Sequence, residues 1–271
     1  VLPPLPLAAN LLSLEAVLAA SDVDGQADWV ERISMGELVS AALLPSDIEA
    51  GDTLSGVLKA VPDADMAEHV LVVTAGLCAL VALDAHGVDV AERTIWDETR
   101  KQFDITLSDA IPALVLATGE KADAIGDRLT ETMLYAIAAD SIGGAEAALD
   151  HTVEYLKTRK QFDRPIAMFQ ALKHRCADMK MMIAAAEALL WARAADEKAT
   201  LADAGALKLH ACDVFLHVTE EMIQLHGGIG LTEEHEAHLF MKRAMLNAQL
   251  FGNADLWAEE AGREAVELLT A

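Results

Sequence analysis

YLKTRKQFDRPIAMFQ, residues 155–170, and QLHGGIG, residues 224–230, are the two stretches that decide how this chain reads. In the first, Arg159 offers a permanent cation with planar donors, a match for a pyrophosphate. Gln161 and Gln170 add neutral donors, and Phe162 adds a flat apolar face. In the second, Gln224 precedes Gly227 and Gly228, where a backbone without Cβ atoms can approach an anionic ligand and present N–H groups to it. Each stretch alone also has a plain reading. The first fits a surface arginine beside a core-packed phenylalanine, and the second fits a glycine helix cap.

The flanks are helical. After Pro165, Leu172, Cys176, Met179 and Ile183 fall at helical spacing, and Leu207, Ala211, Val214, Val218, Met222 and Leu225 do the same. Stripes this broad pack a helix bundle. Gly227-Gly228 ends the second helix, and another runs from about Asn253 to Leu269. Upstream the period changes. Leu54 to Leu58, His69 to Thr74, Cys78 to Leu83, Val88 to Arg93 and Gln102 to Leu107 are short runs with β-branched residues, several separated by turn formers such as Pro62-Asp63 and His86-Gly87. They predict a small antiparallel sheet or barrel. Before them, Leu11 to Ala20 and Asp28 to Ile33 read as short helices, with Pro3, Pro4 and Pro6 as breakers. The expected organisation is an α+β fold in three parts: 1–35 helical, 36–118 a β domain, and 119–271 a helix bundle.

Composition narrows the function. The formal net charge is −24 over 271 residues, which argues against nucleic acid as a partner. No apolar run is long enough to span a membrane. Cys78, Cys176 and Cys212 show no CxxC spacing and read as reduced, buried thiols of a cytoplasmic protein. The chain starts at Val1 without a basic leader, and reads as one whose first part was cut off or not given.

Taken together and at this separation, the two stretches resemble the flavin-contacting segments of the acyl-CoA dehydrogenase family. The order of helices, small β domain and helix bundle resembles that fold too, with a truncated N-terminal helical domain. The segment Leu54 to Lys59, then His69 to Thr74, then Asp97-Glu98-Thr99-Arg100 is similar to its middle domain. The resemblance implies that Arg159, Gln161, Phe162, Gln170, Gln224, Gly227 and Gly228 contact FAD held mainly by a neighbouring subunit. Asp163 stands where the family usually has Gly.

The resemblance also shows what is missing. Such enzymes take a proton from the α carbon of an acyl-CoA with a carboxylate, while flavin accepts hydride from the β carbon. At one usual place for that base this chain has Phe251, followed by Gly252 and Asn253. At the other it has Met133. Glu131 is two residues away, on the opposite helix face, and Asp255 lies four positions past Phe251. Both are weak substitutes, so no catalytic residue is assigned. Lys59 to Asp63 has neither the Trp nor the Thr that many members place against the flavin ring. The expectation is the non-catalytic-type subunit of an actinobacterial heteromeric (α2β2) acyl-CoA dehydrogenase. A homologous partner supplies the catalytic glutamate, and the substrate is an acyl-CoA, with bulky steroid side-chain thioesters in view. The alternatives are a self-sufficient homomeric enzyme with a relocated base, and a scaffold that has lost FAD.

Other clusters weigh less. Glu233 to His238 contains His-x-x-His, but no third ligand and no HExxH is evident, so a solvated acidic helix start is expected and no metal is assigned. His174 and Cys176 do not share a helix face. Met179, Met181 and Met182 read as core and interface filler.

Overall fold

The computed structural model describes residues 7–20, 23–43, 48–97 and 99–270. The expected breakers Pro3, Pro4 and Pro6, and Glu98 of the middle-domain segment, lie outside them. The fold is α+β and divides into two compact units, the boundary falling between Met133 and Leu134.

The first unit begins with α1 (Leu7–Ala19) and α2 (Gln26–Ser34). Among the described residues eight strands follow: β1 (Val39–Leu43), β2 (Ile48–Ala50), β3 (Leu54–Pro62), β4 (His69–Thr74), β5 (Leu77–Ala82), β6 (Val88–Arg93), β7 (Gln102–Ala110) and β8 (Leu114–Thr118). They form not one sheet but two four-stranded sheets, ordered β1-β4-β5-β8 and β2-β3-β7-β6. The second is wholly antiparallel, but β1 runs parallel to β4, which corrects the all-antiparallel expectation. One core draws on both sheets, with Val70, Val72, Ala79 and Val81 from one and Leu58, Phe103, Ile105 and Leu107 from the other. The alternate positions follow from the two-residue period of a strand. Every residue of β4 is buried, so this strand reads as a continuous apolar run rather than an alternating one.

β3 continues past its expected end at Leu58 through an irregularity between Leu58 and Val61. Ala60 sits there at φ 57°, and its N–H donates to the Asp104 carboxylate at 2.9 Å. This bulge lies within Lys59 to Asp63, the stretch expected to stand in place of a Trp-x-Thr segment.

The second unit is helical. It comprises the later part of α3 (Glu120–Thr158), then α4 (Gln170–Ala194), α5 (Leu201–His226), α6 (Ala237–Gln249) and α7 (Ala254–Thr270). A short hairpin, β9 (Lys160–Gln161) with β10 (Arg164–Pro165), joins α3 to α4. The core is built from Ala138, Ile142, Ala145 and Leu149 of α3, Met179 and Ile183 of α4, the expected stripe from Leu207 to Leu225 of α5, and Phe240 and Ala244 of α6. α5 is the central helix and starts on a capping box. The Thr200 hydroxyl accepts from the Asp203 N–H at 3.1 Å, and the Asp203 carboxylate accepts from the Thr200 N–H at 3.2 Å. Such a cap is worth about 1 kcal/mol. Gly144 lets α3 approach α5, because a Cβ there would stand 2.4 Å from the Phe215 ring.

Candidate functional site

The first stretch forms the α3–α4 connection. α3 ends at Thr158, and β9 and β10 then pair across Phe162 and Asp163. Both turn residues have positive φ, 53° and 58°. A two-residue hairpin turn of this hand suits the strand twist but normally takes Asn or Gly. Asp tolerates this backbone, so Asp163 keeps the turn that the usual glycine would make. For phenylalanine it is an outlier. Phe162 is also 84% exposed, with only an edge contact to Phe169 at 5.9 Å between ring centres. Phe162 thus combines a strained backbone with an exposed aromatic ring. The Ile166 N–H donates to the Arg159 carbonyl at 2.9 Å and closes the loop. The Arg159 side chain is exposed and makes no ion pair among the described residues. Gln161 and Gln170 are exposed as well, Gln170 as the first residue of α4.

The second stretch ends α5. Gly227 caps the helix at φ 65° and ψ −142°, its N–H donating to the Gln224 carbonyl. A 3-10 turn over Gly227–Leu231 follows. Its glycines have different reasons to be glycine. Gly227 needs its positive φ. At Gly230 a Cβ would meet the Ile223 carbonyl oxygen at 2.8 Å. At Gly228 a Cβ would meet nothing within 4 Å, and φ is not positive. Nothing inside the chain asks for glycine there, and the space above it is open. An unpaired guanidinium, an exposed ring and an open glycine backbone fit a flavin dinucleotide.

Tyr155 and His226, which sequence reasoning passed over, connect the two stretches. The Tyr155 hydroxyl donates to the His226 carbonyl at 3.1 Å, and the rings stack with centres 4.3 Å apart. Tyr155 is four residues before Arg159, whose N–H donates to the Tyr155 carbonyl at 2.8 Å. His226 is the residue before Gly227. The signal in the sequence was a polar His at the end of the buried α5 stripe, but its partner lies 71 residues away.

The region around Phe251, where the base was expected to be absent, is closed from within. Phe251 has φ 52°, is half-buried, and packs on a small cluster of Leu134, Ala204 and Trp257. The Trp257 indole N–H donates to the Phe251 carbonyl at 2.9 Å. Lys208, fully buried, donates from Nζ to the carbonyls of Ala248 at 3.0 Å and Gly252 at 2.7 Å. Burial holds the Lys208 ammonium below its usual range. A Cβ on Gly252 would lie 2.6 Å from both the Leu256 and Trp257 side chains. Asp255 is exposed in the first turn of α7, where a carboxylate favours the helix dipole. Glu131 is half-buried on α3, and Met133 is buried.

His235 and His238 do not share a helix, because α6 starts at Ala237. His235 Nδ1 instead accepts from the Ala237 N–H at 3.1 Å, and His238 Nδ1 donates to the His235 carbonyl at 2.7 Å. All three cysteines are free; Cys78 and Cys212 are buried, but Cys176 is only half-buried, which corrects that expectation. Burial pushes the Cys78 thiol up to about 12. No helix among the described residues is long and apolar enough to cross a membrane.

Residues 133–268 match the family model described as acyl-CoA dehydrogenase, C-terminal domain. The chain is 34% identical over 248 residues to the acyl-CoA dehydrogenase IpdE2 of Mycobacterium tuberculosis, spanning 91% of this chain and 68% of that protein. It is 38% identical over 165 residues to IpdE2 of Mycolicibacterium smegmatis, spanning 59% of this chain and 51% of the relative. Among solved structures, a variant of the Tcur3481-Tcur3483 steroid ACAD superposes at TM-score 0.84 with 27% identity, over 99% of this chain and 78% of that one. Butyryl-CoA dehydrogenase from Megasphaera elsdenii superposes at TM-score 0.85 with 22% identity, over 96% and 77%, and this speaks to the fold.

Proposed function

This chain belongs to the acyl-CoA dehydrogenase family, and from that premise we propose that it is the non-catalytic-type subunit of a heteromeric acyl-CoA dehydrogenase. It completes an FAD site across a subunit interface, while a homologous partner supplies the glutamate base. The observation that carries this reading is the pairing of two opposite states in one unit. Arg159, Phe162 and Gly228 stand open and uncommitted, whereas the base position holds Phe251, packed against its own chain. Phe251 cannot accept a proton. Bound FAD supplies the hydride acceptor for the β carbon, and the partner's carboxylate removes the α proton.

Within this reading the Arg159 guanidinium pairs with the pyrophosphate, Gln161, Gln170 and Gln224 donate hydrogen bonds, and the Phe162 ring packs on the cofactor. Gly227 and Gly228 bring backbone within reach of its anionic part. The outer face of α4 supports a protein partner. Ala177, Met181, Ala184, Ala188 and Trp191 are exposed at helical spacing, an apolar stripe in which three alanines leave room for a neighbouring helix and Met181 and Trp191 offer large side chains to it. The similarity to a protein named as a steroid ACAD with two components supports both a two-chain assembly and a bulky steroid-type CoA thioester as substrate.

The test is flavin per polypeptide in the natively purified complex, with each chain quantified. Arg159→Ala is expected to strip flavin from the assembled complex while both chains remain folded. Unchanged flavin content in that variant would falsify the across-interface site. One flavin per copy of this chain with no second polypeptide would instead mean a homomeric enzyme, and its base would be sought at Glu131 or Asp255.

A further inference from the structure

Between the Arg159 hairpin and the Gly227 loop lies a buried group of rings that the proposed function does not use. His226 is 3% exposed. Its Nδ1 donates to the Met222 carbonyl at 2.7 Å, since a carbonyl can only accept. That fixes the neutral tautomer with a bare lone pair on Nε2, and Nε2 has no hydrogen-bond partner. The His235 ring centre lies 4.4 Å from that of His226 and 6.3 Å from that of Tyr155. The charged and titratable groups around His226 are few. α3 brings Tyr155 and His151, and the segment before α6 brings His235 and Glu236, the last 3.7 Å from His151 Nδ1. Among the described residues no carboxylate is hydrogen-bonded to the His226 ring.

We propose that Tyr155 and His226 are positioning residues for the dinucleotide. The Tyr155 hydroxyl, held on the carbonyl that immediately precedes Gly227, fixes the glycine loop at a set distance from Arg159, and the neutral His226 ring is the packed floor between them. This rests on the reading of Arg159, Gly227 and Gly228 as an FAD site. It adds that the two halves of that site are coupled through one hydrogen bond and one stack, so the site has a built-in sensitivity to acid.

The physical argument is direct. Arg159 and Tyr155 are one helical turn apart and joined by a backbone hydrogen bond. Tyr155 and the His226 carbonyl are joined by the hydroxyl. Gly227 has no side chain to hold it: its N–H donates to the Gln224 carbonyl, and the carbonyl just before it is held by the Tyr155 hydroxyl. Protonating His226 puts a charge in a buried place without an acceptor for the new N–H, and faces it with His235 and His151. Burial first, then these two histidines, hold the His226 pKa below its ordinary value, while the Met222 bond works the other way. The sign follows: the neutral ring's contribution is full above about pH 6.5 and is lost as pH falls through the lower folded value.

The experiment uses the purified complex and FAD itself, with dissociation constants from flavin fluorescence and Tm from a thermal scan. Tyr155→Phe keeps the ring and the stack and removes one hydroxyl. Its FAD dissociation constant is expected to rise about five- to tenfold, the worth of one hydrogen bond, with Tm near that of the parent. His226→Asn keeps a donor for the Met222 carbonyl and removes the ionisation. Its affinity is expected to hold as pH is lowered from about 7.5 into the acid range below the ordinary histidine value, whereas the parent loses affinity there; a parent whose affinity also holds would overturn the acid sensitivity. Arg159→Ala separates the two readings. If it weakens FAD while Tyr155→Phe leaves affinity unchanged, or while His226→Asn loses FAD in acid as the parent does, the positioning role is wrong. If neither Arg159→Ala nor Tyr155→Phe weakens FAD, the FAD site itself is wrong, and the positioning role goes with it.

Discussion

Two glycines in the helical unit stand in opposite surroundings. Gly228 has empty space where its Cβ would be, and Gly252 has Leu256 and Trp257 at 2.6 Å. In the hairpin after α3, Arg159 and Phe162 are likewise exposed, and Phe162 holds an unfavourable backbone with its ring 84% exposed and edge-on to Phe169. Around Gly252, Phe251 also has positive φ, but there the Trp257 indole and the Lys208 ammonium hold the turn's carbonyls. The same kind of strained turn is maintained from inside in one place and left open in the other. A region closed by its own side chains keeps a fold. A region kept open at a cost in backbone strain is where the proposed cofactor would sit.

The comparison breaks most visibly at Lys208. Lys208→Ala leaves a cavity beneath the turn and two carbonyls, of Ala248 and Gly252, without their donor. The expected loss is about 3 kcal/mol in urea denaturation, from lost packing and orphaned acceptors. A loss below about 0.5 kcal/mol, the range of ordinary surface substitutions, would mean that the closed region is not held from inside. Phe251→Glu comes next, at about 1–3 kcal/mol, because a half-buried carboxylate loses water without gaining a partner. The introduced carboxyl has a raised folded pKa, so the loss should be larger at pH 8 and shrink toward pH 5, where it takes a proton. No turnover without the partner chain is expected from this variant. Partner-free dehydrogenation of an acyl-CoA by it would show that the pocket is a working one lacking only its base.

The two regions were not equally legible. The two stretches proposed to touch the flavin could be singled out because their chemistry is carried by residues close in sequence, and the α5 stripe could be read because its apolar positions keep a helical period over six residues from Leu207 to Leu225. α6 went unnamed because two of its buried positions are polar. Arg243 and Asn247 lie on the inward face, with Asn247 donating to Asp140 at 2.7 Å and to Ser141 at 3.1 Å, so the apolar period is broken where the helix is most buried. β1 and β8 escaped for another reason. Each is five residues long, and β1 owes its existence to a parallel pairing with β4, a contact no local pattern announces. The link between Tyr155 and His226 is of the same kind: both residues sit inside quoted stretches, but their meeting belongs to the packing of α3 against α5.

The smallest expected change in stability is the sharpest test of the open region. Gly228→Ala adds one methyl group where no atom lies within 4 Å and where φ is not positive. On folding grounds alone it should be neutral or slightly favourable, by up to about 1 kcal/mol, because alanine has less freedom to lose than glycine. For the cofactor the same methyl group stands in the approach to the backbone, so FAD affinity should fall even as Tm holds or rises. Gly230→Ala is the control, since its Cβ would press on the Ile223 carbonyl at 2.8 Å and lower Tm whatever binds outside. Opposite signs at Gly228, stability up and flavin down, fit a loop shaped for a ligand. If stability and flavin occupancy instead stay unchanged together, Gly228 serves neither fold nor ligand, and the loop would be only the end of a helix.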